Sequence, residues 1–136
     1  MENPALIDKT EKQYQEFGEF LQRYIFDLNN LAEEGWSVLV EGKRDALALR
    51  KLGYAGNLAT TYLLTRNGYS SFEGRRRVVI LTDLDREGAV LASRYVKRLS
   101  HDGFRTSLRE RLRLKNKSHG VFLHVENLSR FALDES

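Results

Sequence analysis

Cysteine is absent from all 136 residues. That rules out disulfide staples and thiolate metal sites, so any metal here must be held by oxygen or imidazole donors. No apolar run approaches the ~18 residues that span a bilayer. Met1 to Thr10 lacks the basic and apolar regions of a signal peptide, so a cytoplasmic chain with no membrane partner is expected. There is also no internal repeat and no low-complexity stretch. What remains is ordinary for a globular protein: 41% hydrophobic and 30% charged residues, in a length suited to one domain with its own core.

The net charge of +3 conceals an asymmetry. Residues 1–34 hold eight acids against three bases, a balance of −5, so the rest of the chain carries +8. Basic residues cluster at Arg75-Arg76-Arg77 and again at Arg105, Arg109, Arg111, Arg113, Lys115 and Lys117. A single basic run is usually a solvated face. Two runs beside an acidic cluster point to a polyanion partner.

That cluster lies in Arg77-Val78-Val79-Ile80-Leu81-Thr82-Asp83-Leu84-Asp85-Arg86-Glu87-Gly88. The apolar run reads as a strand buried on both faces. Asp83 and Asp85 are two apart, so in extended chain their side chains share a side, and Glu87 continues the spacing. From Gly88, the apolar residues Val90, Leu91, Tyr95, Val96 and Leu99 have helical spacing. Sites in α/β sheets form at such strand ends. Crowded acids repel one another, and a hard divalent cation such as Mg²⁺ offsets that. In the alternative, Asp85 caps the helix and Glu87 favours its dipole, which leaves Asp83 unexplained.

Residues 10–34 read as one long helix. Tyr14, Phe17, Leu21, Tyr24, Leu28 and Leu31 form a heptad seam that serves either to pack on a sheet or to pair two copies in a homodimer. Gly35 is a plausible stop. Trp36 to Val40 is the first strand, followed by Glu41-Gly42-Lys43-Arg44-Asp45 and a helix from Ala46 to Leu52. Asp45 is suited to cap that helix. Asn57 to Leu64 contains a second strand, and Thr65 to Gly74 reads as a loop or frayed short helix. Phe104 to Leu108 is a fourth strand and Arg109 to Leu114 a short basic helix. Lys115 to Gly120 reads as a polar turn, Val121 to Leu123 as a short strand, and Glu126 to Leu133 as a last helical turn or two. His101, His119 and His124 fall in polar contexts away from the acids. Alternating strands and helices predict a mainly parallel α/β sheet covered on both faces.

Glu41-Gly42 after one strand and Asp83-Leu84-Asp85-Arg86-Glu87-Gly88 after a later one resemble the Toprim domain. That domain is shared by type IA and type II topoisomerases, bacterial primases, recombination-repair proteins and the ribonuclease that matures 5S ribosomal RNA. The second motif is similar to the type IA topoisomerase version. Val40 to Asp45 looks more like the maturation ribonuclease. The resemblance covers about residues 36–110, and the whole chain resembles the small, stand-alone Toprim proteins of archaea and some bacteria. It implies a Rossmann-like, mainly parallel sheet of about four strands. The division expected is an N-terminal helix over 1–34, a Toprim domain over 35–114 and an extension over 115–136.

The resemblance further implies Mg²⁺-dependent phosphoryl chemistry on nucleic acid, with Mn²⁺ able to substitute. Asp83 and Asp85 would hold the metal, with Glu87 as a supporting or second-metal ligand, while Glu41 would complete the site or act as general acid and base. Lys43, Arg44 and Arg86 stand beside these acids and would contact phosphate, or else pair with the carboxylates. With Arg109, Arg111 and Arg113 they make up the expected nucleic-acid surface. A topoisomerase reading fails because strand passage needs a large gate and a nucleophilic Tyr on another domain. A haloacid-dehalogenase-type phosphatase wants Thr or Val where Glu87 stands. The expected function is a nuclease on structured RNA, RNA being favoured over DNA. Alternatives are a non-catalytic nucleic-acid-binding module that works with a partner protein, and hydrolysis of a small phosphate ester.

Overall fold

The computed structural model describes residues 4–120 and 122–132. Helix α1 spans Pro4–Glu33. Gly35, at φ +93°, ends it. The apolar stripe does what its 3-and-4 spacing demands: Phe17, Phe20, Leu21, Tyr24, Ile25 and Leu28 are all buried within the chain. Tyr14 is about half exposed and stacks on Phe131, ring centroids 4.4 Å apart.

Four strands follow: β1 (Trp36–Val40), β2 (Leu58–Thr60), β3 (Arg77–Ile80) and β4 (Arg105–Ser107). They form one sheet in the order β2-β1-β3-β4, and every pair is parallel. The period of two splits the two central strands between two cores. Val38, Val40, Val79 and Leu81 face α1, together with Leu114, Val125 and Leu128. Leu39, Val78 and Ile80 face the opposite side, against Leu64, Phe72, Ala92, Tyr95 and Leu99. Helices therefore cover both faces, as the unbroken apolar runs of β1 and β3 require.

The helices joining the strands are α2 (Lys43–Lys51), α3 (Thr61–Asn67) and α4 (Arg86–His101). The second strand is only three residues long. Thr60 ends it and caps α3, its hydroxyl accepting from the N–H of Leu63. The stretch Asn57–Leu64 thus holds the expected strand and a helix start, and a short 3₁₀ turn over Gly68–Phe72 follows where a loop or frayed short helix was expected.

The largest departure from the sequence reading is α5 (Arg109–Ser118). The polar turn expected at Lys115–Gly120 lies instead at His119 and Gly120, both with positive φ. The reason is its buried face, made of Glu110, Arg111, Leu114 and Ser118. The spacing is helical, but three of the four residues are polar, so the period is invisible as hydropathy. Of the expected strand at 121–123, Val121 lies outside the described residues, and Phe122 and Leu123 pair in no strand. A 3₁₀ segment over Val125–Phe131 closes the described chain. If α5 is part of the core, Leu114→Ala should cost about 2–5 kcal/mol in urea unfolding. Leu112→Ala, at a position 57% exposed on the same helix, should stay within about 0.5 kcal/mol.

Candidate metal and phosphoryl-transfer site

Parallel pairing of β1 with β3, with Leu39 opposite Ile80, brings the two strand ends side by side. Leu81 extends the pairing by donating to the Leu39 carbonyl at 2.8 Å. One residue beyond β1 stands Glu41, and the Asp83 loop lies just beyond β3. The N–H of Asp83 donates to Glu41 Oε2 at 2.8 Å. The two acids that the sequence places 42 residues apart are thus directly bonded.

The loop between β3 and α4 is fixed by three local devices. Asp85 is the N-cap of α4, its Oδ1 accepting from the N–H of Gly88 at 2.7 Å. The buried Thr82 hydroxyl donates to the Gly88 carbonyl at 2.7 Å. Gly88 itself lies so close that a Cβ there would sit 1.8 Å from the Asp83 carbonyl oxygen. No other residue fits that contact without moving the loop. On the β1 side, Asp45 Oδ2 accepts from the N–H of Gly42 at 3.0 Å, capping α2 from its first turn.

Two further contacts come from the C-terminal part of the chain. Arg111, on α5, is only 8% exposed. Its Nη2 donates to the Asp83 carbonyl at 2.6 Å and its Nε to the Thr82 carbonyl at 3.3 Å. The chain just after α5 then crosses the loop. Leu84 donates to the Leu123 carbonyl, and the Val125 N–H donates to Asp83 Oδ1 at 2.8 Å. His124 Nδ1 lies 3.4 Å from Asp83 Oδ2 and 3.9 Å from Asp85 Oδ2. The hydrogen bond to Asp83 raises the His124 pKa above the usual imidazole range.

These contacts correct the sequence reading in two places. His124 is not away from the acids but against them. Arg111 is no phosphate-binding surface residue: it is buried, and its guanidinium is spent on loop carbonyls. Arg113 is likewise turned inward, 2.7 Å from Asp27 and over the rings of Phe20 and Tyr24. Arg109 is exposed, as are Lys43, Arg44 and Arg86 near the acids. Glu87 is exposed on the first turn of α4. It lines a groove with Glu41, and no contact joins it to Asp83 or Asp85 among the described residues. Neither Arg111 nor His124 carried a local signal: their partners lie 28 and 41 residues away in sequence.

Among the described residues, no three His, Asp or Glu side chains already stand as a closed metal cluster. The donor chemistry nevertheless suits a hard cation. Glu41, Asp83 and Asp85 each commit one carboxylate oxygen to a backbone N–H, which fixes the carboxyl group in place. The second oxygen of each makes no bond to backbone. Fixed carboxylate oxygens of this kind are what Mg²⁺ takes from a protein. Burial pushes the Glu41 pKa up to about 7. The Asp83 N–H opposes that shift, and the neighbouring Asp83 and Asp45 carboxylates add to it.

A four-stranded parallel sheet with acids at two adjacent strand ends is the Toprim arrangement. The Toprim domain pattern matches residues 36–108, and the chain belongs to the Toprim family. Toprim domains are metal-dependent and work on nucleic acid. Small archaeal proteins are similar over most of their length. A UPF0292 protein of Methanosarcina acetivorans is 31% identical over 81% of this chain and 78% of its own. Another, of Methanosarcina barkeri, is 34% identical over the same shares. One from Methanocaldococcus jannaschii is 30% identical over 82% of this chain and 84% of its own. Among solved structures, a protein from Aquifex aeolicus shares the fold with a TM-score of 0.62 at 24% identity, over 77% of this chain and 94% of that one. No helix of the described residues is long and apolar enough to cross a membrane.

The raised Glu41 pKa fixes the sign of a pH effect. A carboxyl with a folded pKa above its unfolded value binds more protons when folded, so its contribution to stability falls as pH rises. In metal-free buffer the wild type should lose stability, relative to Glu41→Gln, between the ordinary glutamate value of 4.5 and about 7. The two curves should run parallel outside that window. Urea melts of both proteins across the pH range check this.

Proposed function

We propose that this protein is a Mg²⁺-dependent nuclease that cuts structured RNA. The observation that carries the reading is the Asp83 N–H bond to Glu41, which sets a carboxyl group with a pKa near 7 against the Asp83–Asp85 loop. Without metal such a group exchanges a proton at neutral pH, and a cation bound beside it would favour its carboxylate form, the form a general base needs. Asp83 and Asp85 would hold the cation through their second carboxylate oxygens. Mg²⁺ supplies phosphate positioning and neutralisation of charge developing on the phosphate oxygens. Arg86, exposed at the start of α4, is placed to meet a substrate phosphate.

A second reading has one observation in its favour. Both oxygens of Asp83 face the tail, Oδ1 on the Val125 N–H and Oδ2 toward His124. A site covered in this way suits a module that binds nucleic acid and cuts only when a partner displaces the tail. Incubation with a panel of structured RNAs and DNAs separates the two. The nuclease reading expects Mg²⁺-dependent cleavage, preferentially of RNA, by the wild type and at least a hundredfold less, about 2.7 kcal/mol, by Asp83→Ala. Binding without cleavage by the wild type would favour the module.

Metal binding can be read without a substrate. A cation that binds only the folded state adds about 2.7 kcal/mol at a hundredfold excess over its dissociation constant. The wild type should therefore melt clearly higher in Mg²⁺ or Mn²⁺ than in EDTA. Asp83→Asn keeps an oxygen for the Val125 N–H but removes one charge from the cluster. It should melt at or above the wild type in EDTA and gain little from metal. No metal effect on the wild type would leave the acids with capping roles only.

A further inference from the structure

We infer that the groove along α4 is a track for a single-stranded polynucleotide segment leading away from the acid site, an inference that rests on the phosphoryl-transfer reading above. The groove has a volume of about 430 Å³ and is lined by Glu41, Arg86, Glu87, Val90, Leu91 and Arg94. Its α4 residues lie at i, i+1, i+4, i+5 and i+8, which places them along one side of the helix. The groove therefore begins at the acid site, where Glu41 forms part of its wall, and runs down the helix to Arg94.

Charge varies along it. Glu41 and Glu87 stand at the site end, where a cation would sit. Arg94 stands two helical turns on, and both arginines are exposed. Neither makes an ion pair among the described residues, whereas Arg75 and Arg113 do. Between the two arginines Val90 is half exposed on a surface helix, beside the partly covered Leu91. An apolar floor with a cation at each end fits about two or three nucleotides lying along it, with the phosphates at the two ends on the arginines. Eight residues of helix rise about 12 Å, the length of about three stacked nucleotides at 3.4 Å each. The floor holds no aromatic ring, so little base preference is expected.

The test uses fluorescence anisotropy with the full chain in Mg²⁺ and a short phosphorothioate oligouridine that resists hydrolysis, at several salt concentrations. Arg94→Gln should weaken binding roughly tenfold, as expected for a lost hydrogen bond to a charged group. It should also reduce the slope of log K against log salt by about 0.7, the value for one phosphate contact on a single strand. Lys97→Gln removes the same charge from an exposed position on α4 outside the groove, and should leave both quantities near wild type. Equal losses in the two variants would mean bulk charge alone and would overturn the track. So would wild-type binding by Arg94→Gln, or binding of a polyglutamate peptide in place of the oligonucleotide. Unmodified RNA separates this from the catalytic reading. A wild type that binds but does not cut leaves the track standing and removes the nuclease. A wild type that cuts, beside an Arg94→Gln variant that binds and cuts equally well, removes the track and leaves the nuclease.

Discussion

The hydrogen bond from the Asp83 N–H to the Glu41 carboxylate joins two segments that parallel strand pairing alone would merely leave near each other. It has two effects with opposite costs. It orients Glu41 and fixes the height of the Asp83 loop above the sheet. It also holds the Glu41 carboxylate beside that of Asp83 in a partly buried place, which disfavours charge on Glu41. The chain accepts that repulsion because the rest of the loop is over-determined. Thr82, Gly88 and the Asp85 cap hold it from the α4 side, and Arg111 holds it from beneath.

Arg111 shows how the surroundings adapt to the cluster. A buried guanidinium is costly to desolvate, and burial lowers its pKa while Asp85, Glu41 and Asp83 raise it. Its hydrogen bonds go to backbone carbonyls rather than to the carboxylates. The acids therefore feel a nearby positive charge that does not pair with them, and the second oxygens of Asp83 and Asp85 face His124 instead, at 3.4 Å and 3.9 Å. A direct ion pair would have quenched the acids; a carbonyl clamp supports their loop and leaves them available.

How much of this was legible follows from the range of each interaction. The strand, acidic turn and helix at 77–101, and the Glu41-Gly42 turn, are local patterns, and the sheet follows from their alternation. The Asp85 cap is also local. Arg111 and His124 are not: nothing near either in sequence indicates a partner, and Arg111 stands in a basic run that reads as a polyanion surface. Helix α5 was cut short because its inward face is Glu110, Arg111, Leu114 and Ser118, which looks like solvent-facing chemistry. Helix α3 was hidden because β2 spans only three residues before Thr60 turns it into a helix. Buried polar side chains account for Arg111 and α5, whereas the exposed His124 was missed because its partners are distant in sequence.

The bond from Val125 to Asp83 has a consequence for the order of assembly. Synthesis proceeds from the N-terminus, and domains fold as units once enough chain has emerged. The four strands and the acid motifs are all present by residue 107. Arg111 and then His124 and Val125 arrive only afterwards, and until they do the Asp83 carbonyl and carboxylate lack their partners. A nascent chain therefore carries its acids before it carries the partners that hold them, and a segment made after all four strands completes the arrangement around Asp83.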